Sequence, residues 1–235
     1  RYRSGVFSHE LRSGMLGPAD VNNDGQVDYG ELEAFISAAN AGVSNPRARI
    51  QVFVQAPLQN LNHPLIDLRN KAFTHFIRFP KSAAGHFEVE DSRGLSYTDW
   101  NKAPDHDTYL ALLYPPVKDE PSYFIRRGDR ELTVRLSPPG KGTGELRFDE
   151  TSLEPVHSAS RSSVADSFRK ELFSVPFGRA FAQGFSVHRE RELTTESRRS
   201  PSPKLILQHS LSAAYALSDA LLDSDDIAQG ASIAY

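Results

Sequence analysis

The 235-residue sequence predicts a mixed α/β protein: a helix–loop–helix–strand segment, then a mainly antiparallel β domain with C-terminal helices. Three observations carry that prediction. Phe7, Leu11 and Met15 recur every fourth residue, which sets apolar side chains on one face of a helix. Between residues 58 and 150, short apolar runs alternate with turn signals, the rhythm of successive strands. From Phe168 to Phe185 an aromatic stripe returns to near four-residue spacing.

The first helix has to stop at Gly17-Pro18, a pair that breaks helices. Residues 20–31 then read Asp20-Val21-Asn22-Asn23-Asp24-Gly25-Gln26-Val27-Asp28-Tyr29-Gly30-Glu31. This is the EF-hand pattern, with oxygen donors at loop positions 1, 3, 5 and 12 and glycine at 6. Ca²⁺ is a hard cation that takes six to eight oxygens. Asp20, Asn22 and Asp24 offer one side-chain oxygen each, Gln26 its backbone carbonyl, Asp28 a water-mediated contact and Glu31 two carboxylate oxygens. Gly25 permits the sharp turn around the ion. The competing reading is an acidic inter-helix loop that holds no metal.

The flanks bear on that choice. Val27 occupies the apolar position through which such loops pair with a partner loop, although the sequence holds no second loop. Asp28 and Glu31 form a capping pair, so a helix is expected to start there and to bury Leu32, Phe35, Ile36 and Ala39. Residues 48–54 alternate apolar and polar at Ile50, Val52 and Val54, which predicts a strand.

In the β region the apolar runs fall at residues 73–79, 86–90, 108–114, 123–127, 131–136 and 145–148. Pro80, Asp91-Ser92-Arg93-Gly94, Pro115-Pro116, Gly128-Asp129 and Pro138-Pro139-Gly140 separate most of them. An antiparallel sheet or small sandwich follows. Residues 162–193 read as helix broken at Pro176, and their aromatic stripe faces either the core or a partner. Arg198-Arg199-Ser200-Pro201-Ser202-Pro203 marks a linker over residues 194–204, and 205–222 read as an amphipathic helix. The expected division is therefore 1–57, 58–193 and 194–235.

Composition narrows the function classes. A formal net charge of −3 leaves no basic footprint for nucleic acid. There is no cysteine, so the chain itself offers neither disulfide, thiolate ligand nor cysteine nucleophile. No stretch reads as a signal peptide or membrane helix. A cytoplasmic location is expected, with periplasmic or secreted as the alternative. No catalytic constellation stands out. Gly184-Phe185-Ser186-Val187-His188 lacks the closing glycine of a nucleophile elbow. Gly140-Lys141-Gly142-Thr143-Gly144 has glycine and lysine in the wrong order for a P-loop, and Asp105-His106-Asp107 reads as a solvated loop.

Ser4-Gly5-Val6-Phe7-Ser8-His9-Glu10-Leu11-Arg12-Ser13-Gly14-Met15-Leu16-Gly17, followed by Ala19-Asp20 and the loop, resembles the C-terminal part of bacterial caspase-like cysteine peptidases of the metacaspase or orthocaspase type. The apolar spacing, Gly5, His9 and Gly17 agree with that family; Ser8 stands where Thr is usual and Met15 near a usual Leu. The resemblance spans residues 4–57 and implies the end of a caspase fold with an inserted calcium loop. The family's nucleophile and base, a Cys and a His, lie upstream of this segment. The resemblance therefore implies the C-terminal product of a processed hydrolase, partnered by an N-terminal catalytic chain of the same precursor. That chain is expected to cover Phe7, Leu11 and residues 50–54. The family implies cleavage of protein substrates after basic residues and a role in bacterial defence. Tyr2 and Arg3 then become candidates for the edge of the substrate cleft. The alternative is a non-enzymatic calcium-binding module with a β-sheet partner surface.

Overall fold

The structure, a computed structural model, describes residues 5–70, 72–114, 121–138, 145–155 and 171–197, with side chains described to Arg189. The chain divides into two compact units, Arg1–Ser200 and Pro201–Tyr235. The second unit lies outside the described residues, as do Tyr2, Arg3, Phe168, the turn at 140–144 and the apolar segment at 205–222.

Helix α1 (Val6–Met15) ends where expected, and Gly17 turns the chain at φ +125°. Strand β1 (Gln26–Asp28) leads directly into α2 (Tyr29–Ala41). The Asp28 side chain caps α2 by accepting from Glu31 N, and the Glu31 side chain accepts from Asp28 N. Strand β2 (Pro64–Asp67) pairs antiparallel with β1, so Val27 meets Ile66 rather than a second loop of the same kind.

The β region forms two further sheets. One has the order β10-β8-β7-β4-β5, built from Glu154–Pro155, Arg130–Arg135, Ser122–Arg127, Gly85–Asp91 and Ser96–Lys102. The other has the order β6-β3-β9, built from Thr108–Leu112, His75–Phe79 and Glu145–Arg147. All pairings are antiparallel except β3 with β9. The sheets meet through an aromatic cluster: Phe79 lies 5.0 Å from Phe87, 5.0 Å from Trp100 and 4.9 Å from Phe148, ring centre to ring centre. Burying these large rings supplies much of the apolar stabilisation.

The helices share this fold's core. On α1, Ser13 Oγ accepts from Asp99 N of β5, and Arg12 donates to the Ser96 carbonyl. Leu172, Phe173 and Phe177 are buried, and Phe35 of α2 packs on both phenylalanines. This favours the core-facing reading of the stripe there. Farther on, Phe181 and Phe185 are half-buried on α3 (Arg179–Ser197). That helix runs four residues into the stretch expected as linker. Among the described residues, no helix is long and apolar enough to cross a membrane.

One strand expectation fails, and one strand arises where none was expected. Residues 48–54 form no strand. The alternation is present, but no described strand lies alongside to complete a ladder. Instead Ile50 N donates to Asn40 Oδ1, and Arg189 of α3 donates to the Val54 carbonyl. Phe53 is left 89 % exposed and Phe7 37 %, whereas Leu11 is covered by this chain itself. Conversely, β5 carries no apolar signal in its sequence. Ser96-Tyr97-Thr98-Asp99-Trp100-Asn101-Lys102 is mostly polar, yet Thr98, Asp99 and Lys102 are buried and hydrogen-bonded.

Candidate metal centre

The side-chain oxygens of Asp20, Asn22 and Asp24 are taken up by backbone N–H groups of the 20–31 loop itself. Asp20 is buried, and its two carboxylate oxygens accept from Asp24 N at 3.2 Å and Gly25 N at 3.0 Å. Asn22 Oδ1 accepts from Asp24 N at 2.7 Å, while Asn22 Nδ2 donates to Asp24 Oδ2 at 3.1 Å. Asp24 Oδ1 accepts from Gln26 N at 2.8 Å. The turn requires left-handed backbone at Asn23 (φ +60°) and Gly25 (φ +78°). A Cβ at Gly25 would also press on Arg69 Cγ at 2.9 Å.

Three of the expected ligands titrate abnormally. Burial, with repulsion from Asp24, pushes the Asp20 carboxyl up to about 6. Burial again, with repulsion from Asp28, Asp20 and Asp24, pushes Glu31 up to about 8. Burial also raises Asp28. While Glu31 Oε2 caps α2, its Oε1 is buried with no hydrogen-bond partner. A buried carboxylate oxygen without a donor is costly unless a cation approaches it. Asp20, Asn22, Asp24, Gln26, Asp28 and Glu31 are thus a hard-oxygen set, with crowded negative charge and one orphaned oxygen, and they fit Ca²⁺.

The loop is anchored at both ends. Upstream, Gly17 lies so close to β6 that a Cβ would overlap the Tyr109 carbonyl oxygen, and Leu16 O accepts from Ala111 N at 2.7 Å. Downstream, Gly25 O accepts from Leu68 N at 2.9 Å, and β1 is held by β2. Arg179 at the start of α3 donates to the Val21 carbonyl.

The remaining titratable clusters serve the fold. Asp105-His106-Asp107 is not a solvated loop. His106 is buried, and its Nδ1 lies 2.6 Å from Asp105 Oδ1. Asp105 also accepts from Arg179 N, and Asp107 binds Arg78 and Lys81 N. The buried Lys102 ammonium donates to the His106 carbonyl at 2.6 Å, and burial lowers it to about 8. A second cluster was invisible in sequence. His9 Nε2 and His86 Nε2 each lie 3.0 Å from an oxygen of buried Asp99, with Glu88 adjacent. Burial opposes ionisation of Asp99, but the bonds from His86 and His9 outweigh it and hold the carboxyl well below its usual range. Sequence separations of 90 and 13 residues hid this junction of α1 with the sheet. Ser186 of the rejected elbow lies on α3 and donates to the Ala182 carbonyl.

Compared with protein-family models, curated proteins and solved structures, the chain matches none.

Proposed function

We propose that residues 20–31 bind one Ca²⁺, and that this ion clamps the helical segment to the β-sandwich. Asp20, Asn22, Asp24, Gln26 and Glu31 would hold it, with Asp28 acting through water. The observation that carries the reading is Glu31 Oε1, buried and unpartnered, at the end of a loop whose other carboxylates crowd one another. The loop joins α1, β1 and α2, so neutralising it stabilises the junction between helices and sheets. Thermal unfolding in EGTA and in buffered Ca²⁺ tests this. At a hundredfold excess over Kd, linkage gives roughly 2.7 kcal/mol of stabilisation and a clear rise in Tm. Mg²⁺ is expected to do less, because it prefers a smaller octahedral site. An unchanged Tm at millimolar Ca²⁺ contradicts the clamp.

We further propose that the clamp belongs to a caspase-like cysteine endopeptidase acting on protein substrates after basic residues. The likeness of residues 4–17 supports this reading. With no cysteine in the sequence, the thiolate and its activating His have to come from the N-terminal catalytic chain. The alternative, a calcium-dependent interaction module without chemistry, shares the same ion site. The coding sequence upstream of Arg1 separates the two: a His and a Cys, each ending a strand, support the peptidase, and their absence there favours the module.

A further inference from the structure

An open cleft of about 1020 Å³ lies between the calcium loop and the outward face of the three-stranded sheet. Strand register builds its floor. His75, Ile77 and Phe79 of β3 point into the core, so Phe76 and Arg78 point outward. Tyr109 stands opposite Arg78 on β6, and Arg147 stands beside it on β9. Asp20, Asp24 and Gly25 form part of the facing wall.

The charges of this cleft are arranged in two groups. Arg78 is already held by Asp107 at 2.6 Å. Lys81 and Arg147 are exposed, and neither side chain has a hydrogen bond or ion pair among the described residues. In all, five cationic side chains face four carboxylates, two of which belong to the loop. The lining is nearly balanced without a metal. A bound dication offsets the charges of Asp20 and Asp24, so the facing wall repels an anion less and Lys81 and Arg147 are left to attract it.

We propose that this cleft is a calcium-dependent docking site for an acidic peptide segment. The inference rests on the calcium reading and adds the partner's chemistry. Separated carboxylates of an extended peptide suit Lys81 and Arg147, and half-buried Phe76 and Tyr109 add apolar contact on the same lining. A continuous phosphate backbone suits the cleft poorly, because Asp107 and Glu145 interrupt the positive surface.

The test is fluorescence anisotropy of a labelled, glutamate-rich peptide against the full chain at low ionic strength, in buffered Ca²⁺ and in EGTA. Calorimetric Ca²⁺ titrations run in parallel. Expected are peptide binding at least about tenfold tighter with Ca²⁺, and Ca²⁺ affinity raised by the same factor with peptide. Higher salt should weaken both effects. Lys81→Glu/Arg147→Glu should lose peptide binding at least about tenfold yet still titrate with one Ca²⁺. Ca²⁺ binding with no peptide binding, or with peptide binding indifferent to Ca²⁺, overturns this inference and spares the calcium site. Binding of inorganic triphosphate but not of the peptide overturns the peptide assignment. If no Ca²⁺ binds at all, both readings fall.

Discussion

Glu10 of α1 is fully buried, with both carboxylate oxygens 3.0 Å from Asn40 Nδ2 of α2. Burial, opposed by that hydrogen bond, raises its carboxyl from 4.5 to about 7. The folded state then binds more protons than the unfolded state between those values. Glu10's contribution is therefore fully present below about 4.5 and is lost as pH rises through about 7. In EGTA, the Tm of the chain should fall between about pH 5 and about pH 7.5, and Glu10→Gln should make that fall shallower. Equal slopes in the two proteins would refute the assignment. Residue-level legibility divides along sequence distance. The Asp28–Glu31 cap could be read because its partners are three apart, and the proposed calcium ligands stand out because they lie within twelve consecutive positions. Glu10–Asn40 and His9–Asp99–His86 could not, because their partners are joined only by the folded chain.

Among the elements, α1 depends on one residue to reach β6. Gly17 combines φ +125° with backbone so near Tyr109 that no side chain fits. Gly17→Ala should cost more than about 2 kcal/mol in chemical denaturation, combining left-handed strain with displacement of the helix. Gly94→Ala is the control, with φ +70° and no atom within 4 Å of an added Cβ, so it should cost only about 1 kcal/mol. Comparable losses in the two variants would remove the docking argument. The Gly17-Pro18 break, α2 and most of the sheet strands were legible from period and punctuation. By contrast β5 was not, since its buried Thr98, Asp99 and Lys102 look solvated until their partners are known. Residues 48–54 misled for the opposite reason. A period of two marks a strand only where a neighbour supplies hydrogen bonds, and there Asn40 and Arg189 contact the backbone instead.

On the scale of the molecule, the helices and the sheets form one body through His9–Asp99, Phe35–Phe173 and Arg189–Glu33. The resemblance implied a partner chain over Phe7, Leu11 and residues 50–54. Leu11, Met15, Phe35 and Ile36 are buried within this chain itself, while Phe7 and Phe53 stay exposed. In hydrogen exchange, α1 and α2 should be protected to an extent comparable with β4 and β5; rapid exchange confined to the two helices would contradict a shared core. Purified alone, the chain should hydrolyse no peptide, having no thiol, and sustained turnover through further purification would overturn the peptidase-partner proposal. The central claim is the ion, and calorimetric titration with Ca²⁺ tests it most directly. One Ca²⁺ per chain is expected, and Glu31→Gln should weaken binding by about tenfold or more through loss of its bidentate carboxylate. Absence of heat and of any stabilisation by millimolar Ca²⁺, or an affinity unchanged by Glu31→Gln, would contradict it.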